Sequence, residues 1–425
     1  MDRRAYLAGI AGGVTSFVGC VQTNVAGNQT TDSPTDTGPS QGSWPLYQFD
    51  AANTGYAPQK GTGPIEEGTT EWQFTPSEKG VSAPIISEGT VYLQSEGELV
   101  LLDAATGDQG SPSSGRWFET GRSSSIPGIA DGMVYVGGDG KLHALDAAAQ
   151  SGSVKWTFDF ANSGPPRSTP PTIFGDSVYF GTSGRGGGGF IYALDATAGT
   201  KQWEVEVAKT PDEPGGDAST PTIMNGRVYT AGSNDTVYAL DAATGEEHWH
   251  TDVQHRDKYS APMIAVAEET VYVGADKVYA LDAESGDVQW RFETEQWRNA
   301  DQTPIRAPPA VANDTVYVGS YYEGVYALDA ATGEKKWNFE SGDSVTPPPA
   351  VTDETVYIGN GYRGRIDTSQ PSFYALDAIT GEKRWSFGKQ YAVQHAPVIV
   401  DGVVYVSAHK VNQGHLYALT DTQKG

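Results

Sequence analysis

Asp329, Thr332, Glu334 and Trp337 fall within nine residues of one another in the stretch VYALDAATGEKKW, 325–337. Two carboxylates and a hydroxyl in so short a span are the materials of general acid–base chemistry, and an adjacent indole would supply the apolar wall that tunes a carboxyl. The same set, however, recurs along the chain. Ala-Leu-Asp stands at 144–146, 193–195, 239–241, 280–282, 327–329 and 375–377, with Leu101-Leu102-Asp103 before it and Ala418-Leu419-Thr420 after. The third positions are 41 to 49 residues apart. An active site needs one such set, whereas eight at even spacing are the mark of a repeat architecture.

The elements around the repeat follow from one copy, 220–253, TPTIMNGRVYTAGSNDTVYALDAATGEEHWHTDV. A short apolar run ends at the hairpin pair Asn225-Gly226, and a second strand carries Val228-Tyr229. A third strand holds Ala239-Leu240-Asp241, and Thr244-Gly245 turns the chain into an outer strand with Trp249. Four strands in some 40 residues are one propeller blade. The 52 Gly and 25 Pro agree with many short strands and turns, and no stretch reads as a long amphipathic helix.

Trp117, Trp156, Trp203, Trp249, Trp290, Trp337 and Trp385 each follow a third strand, but the eighth unit runs out at Gly425 before any outer strand. Trp72, in Glu71-Trp72-Gln73-Phe74, has no inner strands of its own. The expectation is that its strand completes the last blade and removes the exposed sheet edges. The fold expected over 43–425 is therefore a single all-β, eight-bladed propeller of four-stranded antiparallel blades. In it the eight tryptophans, Trp72 among them, dock between blades.

The run Ala327-Leu-Asp329-Ala-Ala-Thr332-Gly333-Glu334-Lys-Lys-Trp337 resembles the tryptophan-docking motif of the PQQ-type (pyrroloquinoline-quinone) propeller repeats, shared by quinoprotein dehydrogenases and BamB-like assembly lipoproteins. The resemblance extends from Trp44 to the end of the chain, and the Ala-to-Trp separation is ten in five consecutive copies. It departs at Ala144–Trp156, with two extra residues, and after Asp103, where a longer insert precedes Trp117.

Acidic residues number 53 against 28 basic, a net charge of −25 spread along the whole chain. That sign is wrong for neutralising phosphates, so no nucleic-acid partner is expected. It suits an exterior kept hydrated in strong salt, where self-repulsion is screened, and points to a halophilic, archaeal source. Residues 1–20 open with Arg3-Arg4, continue through a short apolar stretch and end Phe17-Val18-Gly19-Cys20. They are similar to a twin-arginine export signal closed by a lipobox, with Cys20 as the lipidated residue. Residues 21–42 are Thr-, Ser- and Gly-rich with little to bury, a flexible tether. The expected protein is a monomer on the outer surface of the cytoplasmic membrane, held by lipid.

In an up-and-down blade the turns after strands one and three lie on one face, and the connections between blades lie on the other. Here the first set is short and uniform, and the second long and irregular, so binding is expected on the second. Twelve candidates fall there: Arg122, Arg167, Arg185, Arg256, Tyr259, Trp297, Arg298, Arg306, Tyr322, Arg363, Arg365 and His395. Eight of them are arginines, out of fourteen in an acidic chain. Arginine and aromatic side chains suit contact surfaces; paired with neighbouring carboxylates, the same arginines are ordinary solvated loop residues. Gly184–Gly189 lacks the helix and Lys-Ser/Thr ending of a phosphate loop. The histidines show no metal-ligand spacing, and His248 and His250 flank Trp249 as exposed strand residues.

Two functions are compatible with these residues. One is a non-catalytic binding or assembly scaffold, with a protein or other surface ligand as partner and no catalytic, cofactor or metal residues. The other, implied by the resemblance, is a dehydrogenase using PQQ and calcium. Such enzymes commonly stack an adjacent cysteine pair on the quinone, and this chain has Cys20 alone.

Overall fold

The computed structural model describes residues 43–421 except 59–63, 65–66, 77–79, 96, 110–116, 122–124, 150–151, 161–166, 184–188, 209–215, 256–259, 295–304, 322–323, 362–370, 390 and 411–412. Every regular element among them is a β-strand, and the strands form eight antiparallel sheets. Blade 4 is typical, with Thr222–Met224, Arg227–Ala231, Thr236–Asp241 and Glu247–Asp252 side by side. Its first turn, Asn225-Gly226, has φ of 51° and 73°. That left-handed pair is the type I′ geometry matching the twist of two adjoining strands.

Ring closure is as the sequence implies. Thr69–Phe74 pairs antiparallel with Gln413–Thr420, placing Trp72 opposite Ala418, so blade 8 combines both ends of the propeller.

The repeat residues form one knot in each of six blades. Asp329 Oδ1 accepts from the Thr332 backbone N–H and hydroxyl, both at 3.0 Å, and Gly333 N–H donates to the Asp329 carbonyl at 2.8 Å. Gly333 has φ 72°, and a Cβ there would meet the Trp290 ring at 2.5 Å. In these six blades the turn is thus pressed beneath the indole of the preceding blade. The indole N–H then reaches a carbonyl in that turn: Trp203 to Ala242 at 2.9 Å, Trp249 to Ala283 at 3.1 Å, Trp290 to Ala330 at 2.9 Å. A tyrosine of the Val-Tyr pair donates to the same oxygen, as Tyr179 does to Ala242 at 3.0 Å. Where blade 8 has no Thr-Gly turn, the N-terminal segment substitutes. Trp385 and Tyr357 donate to the Pro64 carbonyl at 2.7 and 3.1 Å, and Gly68 lies against the Trp385 ring.

A further element escapes any repeat count. Residues 43–57 run around the inside of the channel and cap the inner strands blade by blade. Ile86, Ile129, Ile223, Val266, Val311 and Val351 donate their backbone N–H to the carbonyls of Trp44, Pro45, Ala51, Ala52, Thr54 and Gly55, at 2.7 to 3.0 Å. The inner strands are sheet edges with unpaired backbone groups, and this ring satisfies them in six blades. Trp44, Leu46, Phe49, Ala51 and Ala52 are buried, so the segment also fills the channel with apolar volume.

Candidate functional site

The inner ring leaves a blind cavity of about 440 Å³ above it. Its wall comes from the connections that enter the inner strands of blades 2 to 8, including Ser125, Thr169, Ser219, Ala261, Ala307, Thr346 and Ala396. Tyr47, projecting from the ring, also lines it. The wall is stiff. Gly137, Gly181 and Ala231 on the second strands donate backbone N–H to the hydroxyls of Ser125, Thr169 and Ser219 at 3.1, 2.9 and 2.8 Å. Pro127, Pro171 and Pro221, each two residues after the latching hydroxyl, restrict the chain further. This hydroxyl-x-Pro latch is a second repeat, and it places the cavity wall as the Asp-Thr-Gly knot places the outer rim.

Of the twelve loop residues expected on this face, Arg167, Arg306 and His395 are described, and all three line this one cavity. Arg122, Arg185, Arg256, Tyr259, Trp297, Arg298, Tyr322, Arg363 and Arg365 lie outside the described residues. Arg306 places its guanidinium 4.9 Å from the Tyr321 ring centre, a cation–π contact that orients it. A side lobe of about 200 Å³ shares Ser260, Ala261, Met263 and Arg306 with the main cavity and reaches His255, which bonds Ser260 Oγ at 3.2 Å. Asp217 is the one carboxylate among the lining residues described. In a chain with net charge −25, the described lining of this cavity therefore carries two arginines and a histidine against one acid.

The residue that sequence reasoning missed is Tyr47. Burial pushes its phenol up to about 12, so the hydroxyl of this half-buried side chain stays protonated at neutral pH. The available signal was the run Trp44–Tyr56, rich in aromatic and apolar residues directly after a polar tether.

A second constellation lies in blade 8. His415 Nδ1 is 2.9 Å from both Gln73 Nε2 and Thr75 Oγ1, and the Tyr417 hydroxyl donates to that of Tyr391 at 2.9 Å. His395 and His409 are 6.0 Å apart by ring centres. Burial lowers the pKa of both His409 and His415. His248 and His250 are exposed on their outer strand, as the alternation required.

The lining residues also test the quinone reading. Calcium takes about six to eight oxygen ligands, commonly with several carboxylates. The described lining supplies Asp217 alone, and no group of three His, Cys, Asp or Glu suited to a metal occurs among the described residues. The described lining by itself does not supply the donor set of a calcium-bound quinone.

Compared with known proteins, residues 95–214, 187–296 and 293–366 match the family model described as outer membrane protein assembly factor BamB. No curated protein matches the chain in sequence. Among solved structures, it is similar to the quinohemoprotein alcohol dehydrogenase ADHIIG from Pseudomonas putida HK5, at TM-score 0.70 and 17% identity over 89% of this chain and 80% of that one. BamB from Moraxella catarrhalis superposes at TM-score 0.61 and 18% identity, covering 83% of this chain and 99% of its own. The computationally designed protein Ika8 does so at TM-score 0.62 and 17% identity, covering 84% and 100%. An oxidoreductase, an assembly factor and a designed ring share these backbone paths, so the likeness establishes fold alone. The family match spans more than half of the sequence, and with the eight docked blades it shows that this chain belongs to the BamB family of PQQ-like β-propellers.

Proposed function

We propose that this protein is a non-catalytic binding scaffold, exported and held at the outer surface of the cytoplasmic membrane by lipid on Cys20, that engages its ligand or partner at the channel mouth. The observation that carries this reading is the convergence of Arg167, Arg306 and His395 on one rigid blind cavity. The ordered turns of the opposite face hold their side chains in internal hydrogen bonds instead. Arg3-Arg4 and the 21–42 tether support export and display, and the acidic exterior supports a halophilic source. An assembly role is the part that family membership favours.

The full chain, purified in high salt and supplied with PQQ and calcium, is expected to show no alcohol-dependent dye reduction and no new quinone absorbance. Alcohol-dependent reduction would overturn the scaffold reading in favour of a quinoprotein dehydrogenase.

A further inference from the structure

We infer that the blind cavity is a binding site for a small organic carboxylate, held without a metal; this deepens the reading of the channel mouth as the binding face and rests on it. Three features of the cavity lead to that chemistry. Its volume, about 440 Å³, is that of a small-molecule pocket rather than a groove for a chain. Among the described residues its charged lining is two guanidiniums against the Asp217 carboxylate, the reverse of the protein's net balance. Guanidinium forks match the planar geometry of a carboxylate.

The third feature is Tyr47. Its side chain is half-buried at the cavity, and burial is the cause that raises its pKa. A half-buried phenol at a cavity is available to a ligand as a hydrogen-bond donor. This one stands on the inner ring at the cavity, kept protonated, where it donates to an oxyanion. The ring that carries it is fastened to six blades, so the donor is fixed in place before any ligand arrives. A neutral donor from below and guanidiniums from the wall together compensate a carboxylate taken out of water, which neither does alone.

The hydroxyl-x-Pro latches explain why the wall does not supply these bonds itself. Ser125, Thr169 and Ser219 already accept backbone N–H groups, so their role is to hold shape. Recognition falls to Tyr47, Arg167 and Arg306, with Asp217 setting the selectivity against higher charge.

The test is calorimetric titration of the full chain with a panel of two- to six-carbon mono-, di- and tricarboxylates, at fixed ionic strength, with the matching amides as uncharged probes. Saturable binding is expected for at least one carboxylate and for none of the amides. Arg167→Gln and Arg306→Gln are each expected to weaken it about tenfold or more, and Tyr47→Phe several-fold, the size of a lost charge-assisted hydrogen bond. Asp217→Asn is expected to tighten it, and Glu246→Gln, on the opposite face, to leave it unchanged. Each variant's melting temperature reports whether it has folded. No saturable carboxylate binding by the wild-type chain overturns the inference, as does equal binding of the amides or binding indifferent to both arginine variants. Photo-crosslinking from this face to a partner in native membranes is a separate readout. If it persists while every carboxylate fails, the ligand class is wrong and the binding face stands; if both fail, the scaffold reading falls too.

Discussion

At the scale of single residues, the carboxylates that look most like catalysts are turn caps. Asp329 is held below the usual carboxylate range by the Thr332 hydroxyl first and the turn N–H groups beside it, and Asp241, Asp282 and Asp377 are lowered too. A general acid at neutral pH needs its pKa moved the other way. Asp, Thr, Gly and Trp were legible as structure because they repeat; Tyr47 was not, because it occurs once and works through its surroundings. Two substitutions test the knot. Trp203→Ala, at a site 7% exposed, removes a buried ring and its bond to Ala242, and is expected to cost about 3–5 kcal/mol in denaturant unfolding. Gly333→Ala forces a Cβ into Trp290 at a φ that other residues avoid, and is expected to cost more than about 1 kcal/mol. Unchanged unfolding midpoints in both would contradict interblade docking.

At the scale of elements, the closing strand was readable because Trp72 has no inner strands of its own, and its pairing with Gln413–Thr420 follows. The inner ring was not readable, since a segment that bonds to each blade once has no period. Removing residues 43–57 uncovers six inner-strand N–H groups and the apolar channel, and is expected to lower the melting temperature sharply and raise dye binding to exposed apolar surface. Blade 8 also has a pH dependence. Burial leads the lowering of both His409 and His415; at His409 it outweighs a raising hydrogen bond with the Val81 backbone and His415 adds to it, and at His415 Lys410 adds to it. Unfolding raises these pKa values toward about 6.5, so the unfolded chain binds more protons below that point. Stability is therefore full above about pH 6.5 and is lost as pH falls through the lower folded values. His409→Gln is expected to flatten the fall in melting temperature between pH 7.5 and 5.5; an equally steep fall would remove His409 as its cause.

At the scale of the whole molecule, a net charge of −25 on one chain makes self-repulsion a standing cost. The melting temperature is expected to rise steeply with potassium chloride, by screening, and a flat salt response would remove the argument for a halophilic source. The fold followed from counting repeats, but the site needed three dimensions: Arg167, Arg306 and His395 are hundreds of residues apart at the extremes and meet only because the blades close into a ring. The central claim is that function lies at the channel mouth and not in the repeated turns. The most direct measurement places a photo-crosslinking amino acid at Thr346, on the cavity wall, or at Glu246, on the Thr-Gly turns, and irradiates native membranes. Discrete adducts from Thr346 and none from Glu246 are predicted. Adducts from Glu246 with none from Thr346 would place the working surface on the face assigned here to construction.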